Sequence, residues 1–355
     1  MGRVAVSLTT FVIVLTVVLV GAVRMMPRSV IATAERSMAE SASIESALEA
    51  ARTATAPHVV WLGDSSFVGA PGTDHPRLVT ERLQPTMPHD STIIAAAGLD
   101  FYWYYCLMGE VLATRPAVVV LMANPVQLTT GPTSRVVVDL CGYIPLGDLP
   151  RALLLPWGER GVTTADLINA RWPRGMARHD MRTRVRGMQL LGQRWLPISI
   201  ATRPPRQQRW FAVLRRGNER QRGFDLFREA WKETLAARLD RESPMMVMLD
   251  ATIRMATRAG IPTVVIGNPV PASVRDDPAP LRERFPLRAI VENAGGRFLD
   301  LHDLLTEEQF RDGLVHFTKA GAEAIAARVE PVVREYLVRG QRPVPATPRD
   351  SDRAS

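Results

Sequence analysis

Five short apolar runs recur along the chain, at Val59–Leu62, Thr92–Ala97, Ala117–Ala123, Thr263–Gly267 and Arg297–Leu301. Most are rich in β-branched residues and lack the polar alternation of a half-exposed strand, which is how strands read when both faces are covered. Between them lie longer stretches with apolar residues at helical spacing, notably Phe101–Thr114, Met245–Ala259 and Ala320–Val338. Strand alternating with helix predicts an α/β protein built on a parallel, doubly wound sheet.

The pattern breaks in four places. Val4–Val23 is 20 residues without a charge, enough at about 1.5 Å per residue to span a hydrocarbon core of about 30 Å. A cleavable leader has an apolar region of roughly 7–15 residues and a nearby small-residue site. Here the run is longer, and Ala32-Thr33-Ala34 lies well beyond it, so an uncleaved transmembrane anchor over residues 4–23 is expected. Residues 24–56, Ala/Ser/Glu-rich from Glu35 onward, read as a stalk, and the folded domain is expected over 57–340. Within it, 128–240 shows no alternation, only Pro/Gly punctuation and Arg-rich amphipathic segments such as Phe224–Leu239, and reads as a mainly helical insertion. Residues 341–355 carry too little apolar content to pack and read as a disordered tail.

Charge sharpens the view of the insertion. The net +8 is uneven: Arg171–Arg241 holds 18 basic and 6 acidic residues, a net +12, which leaves −4 for the rest. Such asymmetry argues against a uniformly basic nucleic-acid binder and leaves two readings, a basic subregion facing an anionic surface or polymer, or a solvated helical face. Arg3 and the amino terminus stand against Arg24 and Arg28, so charge alone does not orient the anchor. The two cysteines, Cys106 and Cys141, fit a disulfide or two buried thiols equally well.

The first strand runs into "HVVWLGDSSFVGAPG", where Asp64, Ser65 and Ser66 stand at the carboxyl end of a central strand, the edge at which open α/β sheets bind ligands. Taken alone, Ser65 or Asp64 there could simply cap the next helix. Three other segments fall at the same edge: Gly98 after the second strand, Asn124 after the third, and "FRDGLVHFTKAG" (Phe310–Gly321) before the last helix. Together they supply a serine, a histidine base, a carboxylate and oxyanion donors, the parts acyl transfer requires. Rival constellations are absent: the position that would complete G-x-S-x-G is Phe67, and there is no Walker A loop, HExxH or CxxC pair. No cofactor and no metal is expected.

In this order Gly63-Asp64-Ser65, Gly98, Asn124 and His316 resemble the SGNH (GDSL-type) hydrolase superfamily, as a divergent, membrane-anchored member. The resemblance implies a flavodoxin-like three-layer α/β/α sandwich. It implies Ser65 as nucleophile, His316 as general base, and an oxyanion hole of the Ser65 and Gly98 backbone N–H groups and the Asn124 amide. The acid of such sites sits three residues before the histidine, whereas Asp312 lies four before His316, with Gly313 in the usual place. Either a bulge at Gly313 brings Asp312 to the imidazole, or water orients the ring. Met122 and Pro125 replace the glycine and aspartate that flank the asparagine in the family pattern.

By the same resemblance the protein is a serine esterase acting on O-acyl, chiefly acetyl, esters of a cell-surface glycan or related polymer, with its domain outside the cytoplasmic membrane. Its alternatives are an O-acyltransferase of the same fold, and a non-catalytic partner of a membrane-bound O-acyltransferase. An acylated carbohydrate or small ester is the expected substrate, and no nucleic acid is expected. His302 reads as structural, at the start of a helix after the fifth strand. The aromatic set Phe101, Tyr102, Trp103, Tyr104 and Tyr105 reads mostly as core, with one or two rings open to flooring an acyl or sugar site.

Overall fold

The computed structural model describes residues 44, 46–55, 57–67, 73–95, 99–124, 143–157, 162–164, 167, 241–275, 285–311 and 316–341. The five expected strands all form: β1 His58–Gly63, β2 Asp90–Ala95, β3 Val118–Ala123, β4 Thr263–Gly267 and β5 Arg297–Asp300. They pair in parallel in the order β2-β1-β3-β4-β5, the flavodoxin-like doubly wound order. All residues of β1, β3 and β4 are buried, which explains why they read as unbroken apolar runs rather than as alternating ones.

Helices cover both faces. Helices α1 (His75–Leu83) and α5 (Lys319–Gln341) lie on one, where Val79, Leu83, Ile325 and Val329 pack against Val59, Trp61, Val120 and Ile266. Helices α2 (Phe101–Ala113), α3 (Pro244–Arg258) and α4 (Leu287–Asn293) lie on the other, against Val60, Leu62, Val119, Leu121 and Val265. Each fully buried side chain of this size contributes about 1.5–3 kcal/mol, so the two clusters together hold the sheet between its two helical layers. Trp61 shows how a polar atom is accommodated there: its indole N–H donates to Ser91 Oγ at 2.9 Å.

Helix starts follow the local sequence. Asp100 caps α2 by accepting from the N–H groups of Tyr102 (3.0 Å) and Trp103 (3.3 Å), and Asp74 precedes α1, whose second residue is Pro76. Thr318 caps α5, accepting the Gly321 N–H on Oγ1 at 3.3 Å.

Some expectations need correction. The stretch taken as a stalk joins the domain from Ile44 onward: Ile44, Leu48 and Ala51 are buried in the α2–α4 cluster, and Arg52 pairs with Glu110 at 2.9 Å. Ile44, Ala47, Leu48 and Ala51 stand at helical spacing, but two of the four are alanines, which suit a solvated helix equally well, and it is contact with α2 that buries this face. The region 128–240 contributes core as well, through Tyr143, Ile144, Ala152, Trp157, Val162 and Leu167. All five aromatics of α2 are at most 3% exposed; Tyr102 and Tyr105 meet Trp157 edge-on and the Tyr102 hydroxyl donates to Pro156 O, so the set is built into the core, as most of it was expected to be. His302 starts no helix; it sits buried in a turn after β5. Cys106 is a buried thiol. The anchor at 4–23, Cys141, most of the basic stretch and the tail lie outside the described residues, among which no helix is long and apolar enough to cross a membrane.

Candidate active site

The end of β1 is shaped by a close approach. A Cβ on Gly63 would lie 2.2 Å from Phe67 Cδ2, so only glycine lets the chain fold back with the Phe67 ring over the strand end. Phe67 N–H donates to Asp64 O at 3.1 Å, closing a tight turn over Asp64-Ser65-Ser66-Phe67. Ser65 stands near the tip, half-buried, while Asp64 and Ser66 beside it are buried.

Asp64 does not cap a helix; it organises the turn. Its Oδ1 accepts the Ser66 N–H at 2.8 Å and the Ser66 hydroxyl, an Asx-type arrangement. Its Oδ2 accepts the Asn124 amide from Nδ2 at 3.0 Å. Asn124 follows β3, the neighbour of β1 in the sheet, so one buried carboxylate ties the serine turn to the asparagine of the next strand. The Ser66 hydroxyl, its single proton committed to Asp64, lies against Met122 Sδ at 2.7 Å. Met122, noted only as a departure from the family pattern, therefore backs the turn.

His316 reaches the same point from 251 residues away: Nε2 lies 3.1 Å from Ser65 Oγ. Its backbone is pinned on both sides. Arg311 N–H donates to His316 O at 2.7 Å, Phe310 and Phe317 form an antiparallel bridge, and Thr318 N–H donates to Gln309 O at 2.9 Å. The Phe310 and Phe317 rings stack at a tilt, 5.8 Å apart. A serine hydroxyl and an imidazole nitrogen at hydrogen-bond distance are the geometry of a base-activated nucleophile. Ser65, Asn124 and His316 are thus brought together; Gly98 and Asp312 lie outside the described residues.

Two participants were not anticipated from the sequence. One is Asp64 as a link to Asn124 rather than a cap. The other is His75, fully buried at the start of α1 between the Ser65 turn and the His316 segment. Its ring meets Phe67 edge-on at 5.0 Å and Phe317 at 6.0 Å. Burial in this aromatic enclosure pushes its pKa down to about 3, so the ring is neutral at neutral pH. Burial also lowers the pKa of His58, whose Nε2 lies 2.9 Å from Thr114 Oγ1. No group of three or more His, Cys, Asp or Glu side chains able to hold a metal occurs among the described residues.

A parallel sheet in the order 2-1-3-4-5, with a Gly-Asp-Ser turn after β1, an asparagine after β3 and a histidine leading into the last helix, is an SGNH-hydrolase-like arrangement. No family model and no curated protein matches the chain. Among solved structures, it is similar to a catalytic mutant of an acetylxylan esterase from Geobacillus stearothermophilus, at 12% identity over 79% of this chain and 94% of that one, with a TM-score of 0.37. It is also similar to a carbohydrate esterase family 3 structure from Talaromyces cellulolyticus (11%, 79% and 98%, TM-score 0.34) and to a GDSL-like lipase from Bacteroides thetaiotaomicron (9%, 79% and 88%, TM-score 0.34). Identities and TM-scores this low leave the site to be judged on this chain's own strand order and side chains.

Proposed function

We propose that the protein is an SGNH-type serine esterase that removes O-acyl groups, chiefly acetyl, from a cell-surface glycan or related polymer. The observation that carries this reading is the 3.1 Å approach of His316 Nε2 to Ser65 Oγ. In the reaction, His316 takes the Ser65 proton as Oγ attacks the ester carbonyl. The tetrahedral oxyanion is held by the backbone N–H groups of Ser65 and Gly98 and by the Asn124 amide, which Asp64 orients. The C–O bond to the alcohol breaks and His316 returns the proton to the departing oxygen, leaving an acyl-Ser65. Water, deprotonated by His316, then attacks the acyl carbonyl and releases the carboxylic acid and free serine.

Small acyl groups need little beyond a nucleophile and an oxyanion hole, so the purified protein should hydrolyse p-nitrophenyl acetate and react with a serine-directed phosphonate at Ser65. Ser65→Ala should abolish both. Turnover retained in Ser65→Ala would overturn the reading, and so would a phosphonate adduct mapped to Ser66 instead.

The surface-polymer substrate depends on the uncharged segment Val4–Val23 acting as an anchor that places the domain outside the cytoplasmic membrane. Full-length protein should stay with membranes through carbonate extraction, and protease added to intact cells should reach the domain. Degradation only after lysis would place the domain inside the cell and remove the surface polymer as substrate.

A further inference from the structure

The residue after β4 repeats the situation of the residue after β3. Ala123 of β3 pairs with Gly267 of β4, and the ladder runs on one step through the Asn268 N–H, which donates to Ala123 O at 3.1 Å. Asn124 and Asn268 are therefore lateral neighbours, about one strand spacing of 4.8 Å apart along the carboxyl edge. Both follow by two residues a side chain of the α1/α5 cluster, Met122 and Ile266, so both belong to the face on which Phe67 and Phe317 flank the Ser65–His316 pair.

Their side chains differ in one respect. Asn124 is held by Asp64, whereas neither Oδ1 nor Nδ2 of Asn268 has a hydrogen-bond partner among the described residues, although the side chain is 1% exposed. Exposure does not separate the pair, since Asn124 is 2% exposed; a ligand that reaches one has a single strand spacing left to the other. A buried carboxamide with both functions unmade is destabilising and is rarely kept without a use.

The main chain around Asn268 is clasped from both sides. Besides the bond to Ala123, the Leu301 N–H donates to Gly267 O at 3.1 Å and the Val270 N–H to His302 O at 3.0 Å. Gly267 is needed for that clasp, because a Cβ there would stand 2.7 Å from the Phe298 ring and 3.0 Å from His302. The amide is thus carried on a main chain fixed by three hydrogen bonds, as the support of a recognition group should be.

We propose that Asn268 is a specificity residue that binds a hydroxyl neighbouring the ester in the alcohol part of the substrate. This rests on the esterase reading above. The chemistry follows from the group: a carboxamide offers one acceptor and a two-proton donor side by side, which a hydroxyl matches by donating to Oδ1 and accepting from Nδ2. A carboxylate neighbour would face Oδ1 with a second acceptor, and an alkyl neighbour would leave both functions unmade. The site is thereby built for monoesters of polyols and sugars over simple alkyl esters.

The test compares glycerol monoacetate with propyl acetate, which share a carbon skeleton and differ in their hydroxyls. Wild type should favour glycerol monoacetate in kcat/KM, and Asn268→Leu should shrink that preference tenfold or more, with Asn268→Ala behaving alike. Because no internal hydrogen bond is lost, the thermal midpoint of Asn268→Leu should equal or exceed that of wild type. Hydrolysis of both esters with an unchanged preference, or a thermal midpoint lowered by several degrees, overturns the role of Asn268 alone. Hydrolysis of neither ester by wild type, with Ser65 inert to phosphonate, overturns the esterase reading and this inference with it.

Discussion

Replacing His75 with phenylalanine should make the protein more resistant to acid. The ring is fully buried between Phe67 and Phe317, neither ring nitrogen has a partner among the described residues, and burial alone brings its pKa from 6.5 to about 3. Above about pH 6.5 the ring is neutral in both folded and unfolded chains, and its titration takes nothing from stability. As pH falls below 6.5 the unfolded chain binds a proton that the folded chain refuses until about pH 3, so stability drops with acid throughout that window. At 1.36 kcal/mol per unit, the loss between pH 7.5 and pH 5 is about 2 kcal/mol, or roughly 4–8 °C of thermal midpoint in a domain of this size. His58, whose pKa is also lowered, adds a loss of the same sign but is present in both proteins and cancels in the comparison. The assay is urea denaturation of wild type and His75→Phe at intervals from pH 7.5 to pH 4.5, with His75→Leu to separate ring fit from titration. What is compared is the slope against pH, not the absolute stability. Equal slopes in wild type and both variants would mean that His75 is protonated in the folded chain and that the aromatic enclosure is wrong.

Two further outcomes follow from the turn after β1, and a third concerns the acid expected before His316. Asp64→Ala removes the acceptor shared by Ser66 and Asn124 and should cost about 1–3 kcal/mol of stability together with at least tenfold in turnover of p-nitrophenyl acetate; wild-type values in both denaturation and kinetics would refute the link. Gly63→Ala forces the Phe67 ring off the strand end and should lower stability by about 1–3 kcal/mol, with slower phosphonate labelling of Ser65; unchanged labelling would show that Phe67 does not set the turn. An aspartate that orients a catalytic histidine contributes several powers of ten in rate, so Asp312→Asn should lose most Ser65-dependent turnover while its thermal midpoint stays near wild type, whereas near-silence of this variant beside a severe His316→Ala would leave water as the group orienting the ring.

The secondary structure of this chain was legible because its signals are local. β1, β3 and β4 are buried on both faces, so they appear as unbroken β-branched runs, and α2, α3 and α5 carry the long apolar stripes of packed helices. α1 was not legible: it spans nine residues and buries only His75, Pro76, Val79 and Leu83, too few for a periodic signal. The burial of Ile44 and Leu48 was missed for a similar reason, since an Ala-rich helix looks the same whether solvent or α2 faces it. Residue types at strand ends pointed to Ser65, Asn124 and His316, and open sheets gather such ends at one edge. What no local pattern contains is which strand lies beside which. The crossover that seats β3 next to β1 and β4 next to β3 is what puts Asn124 on Asp64 and Asn268 beside Asn124. Likewise, Asp64 reads as a helix cap until its second oxygen has a neighbour 60 residues on, and His75 is one of six histidines until Phe67 and Phe317 close over it. Periodicity encodes which side of an element is buried; the partner that covers it is chosen by lateral packing, and at this carboxyl edge that choice decides the chemistry.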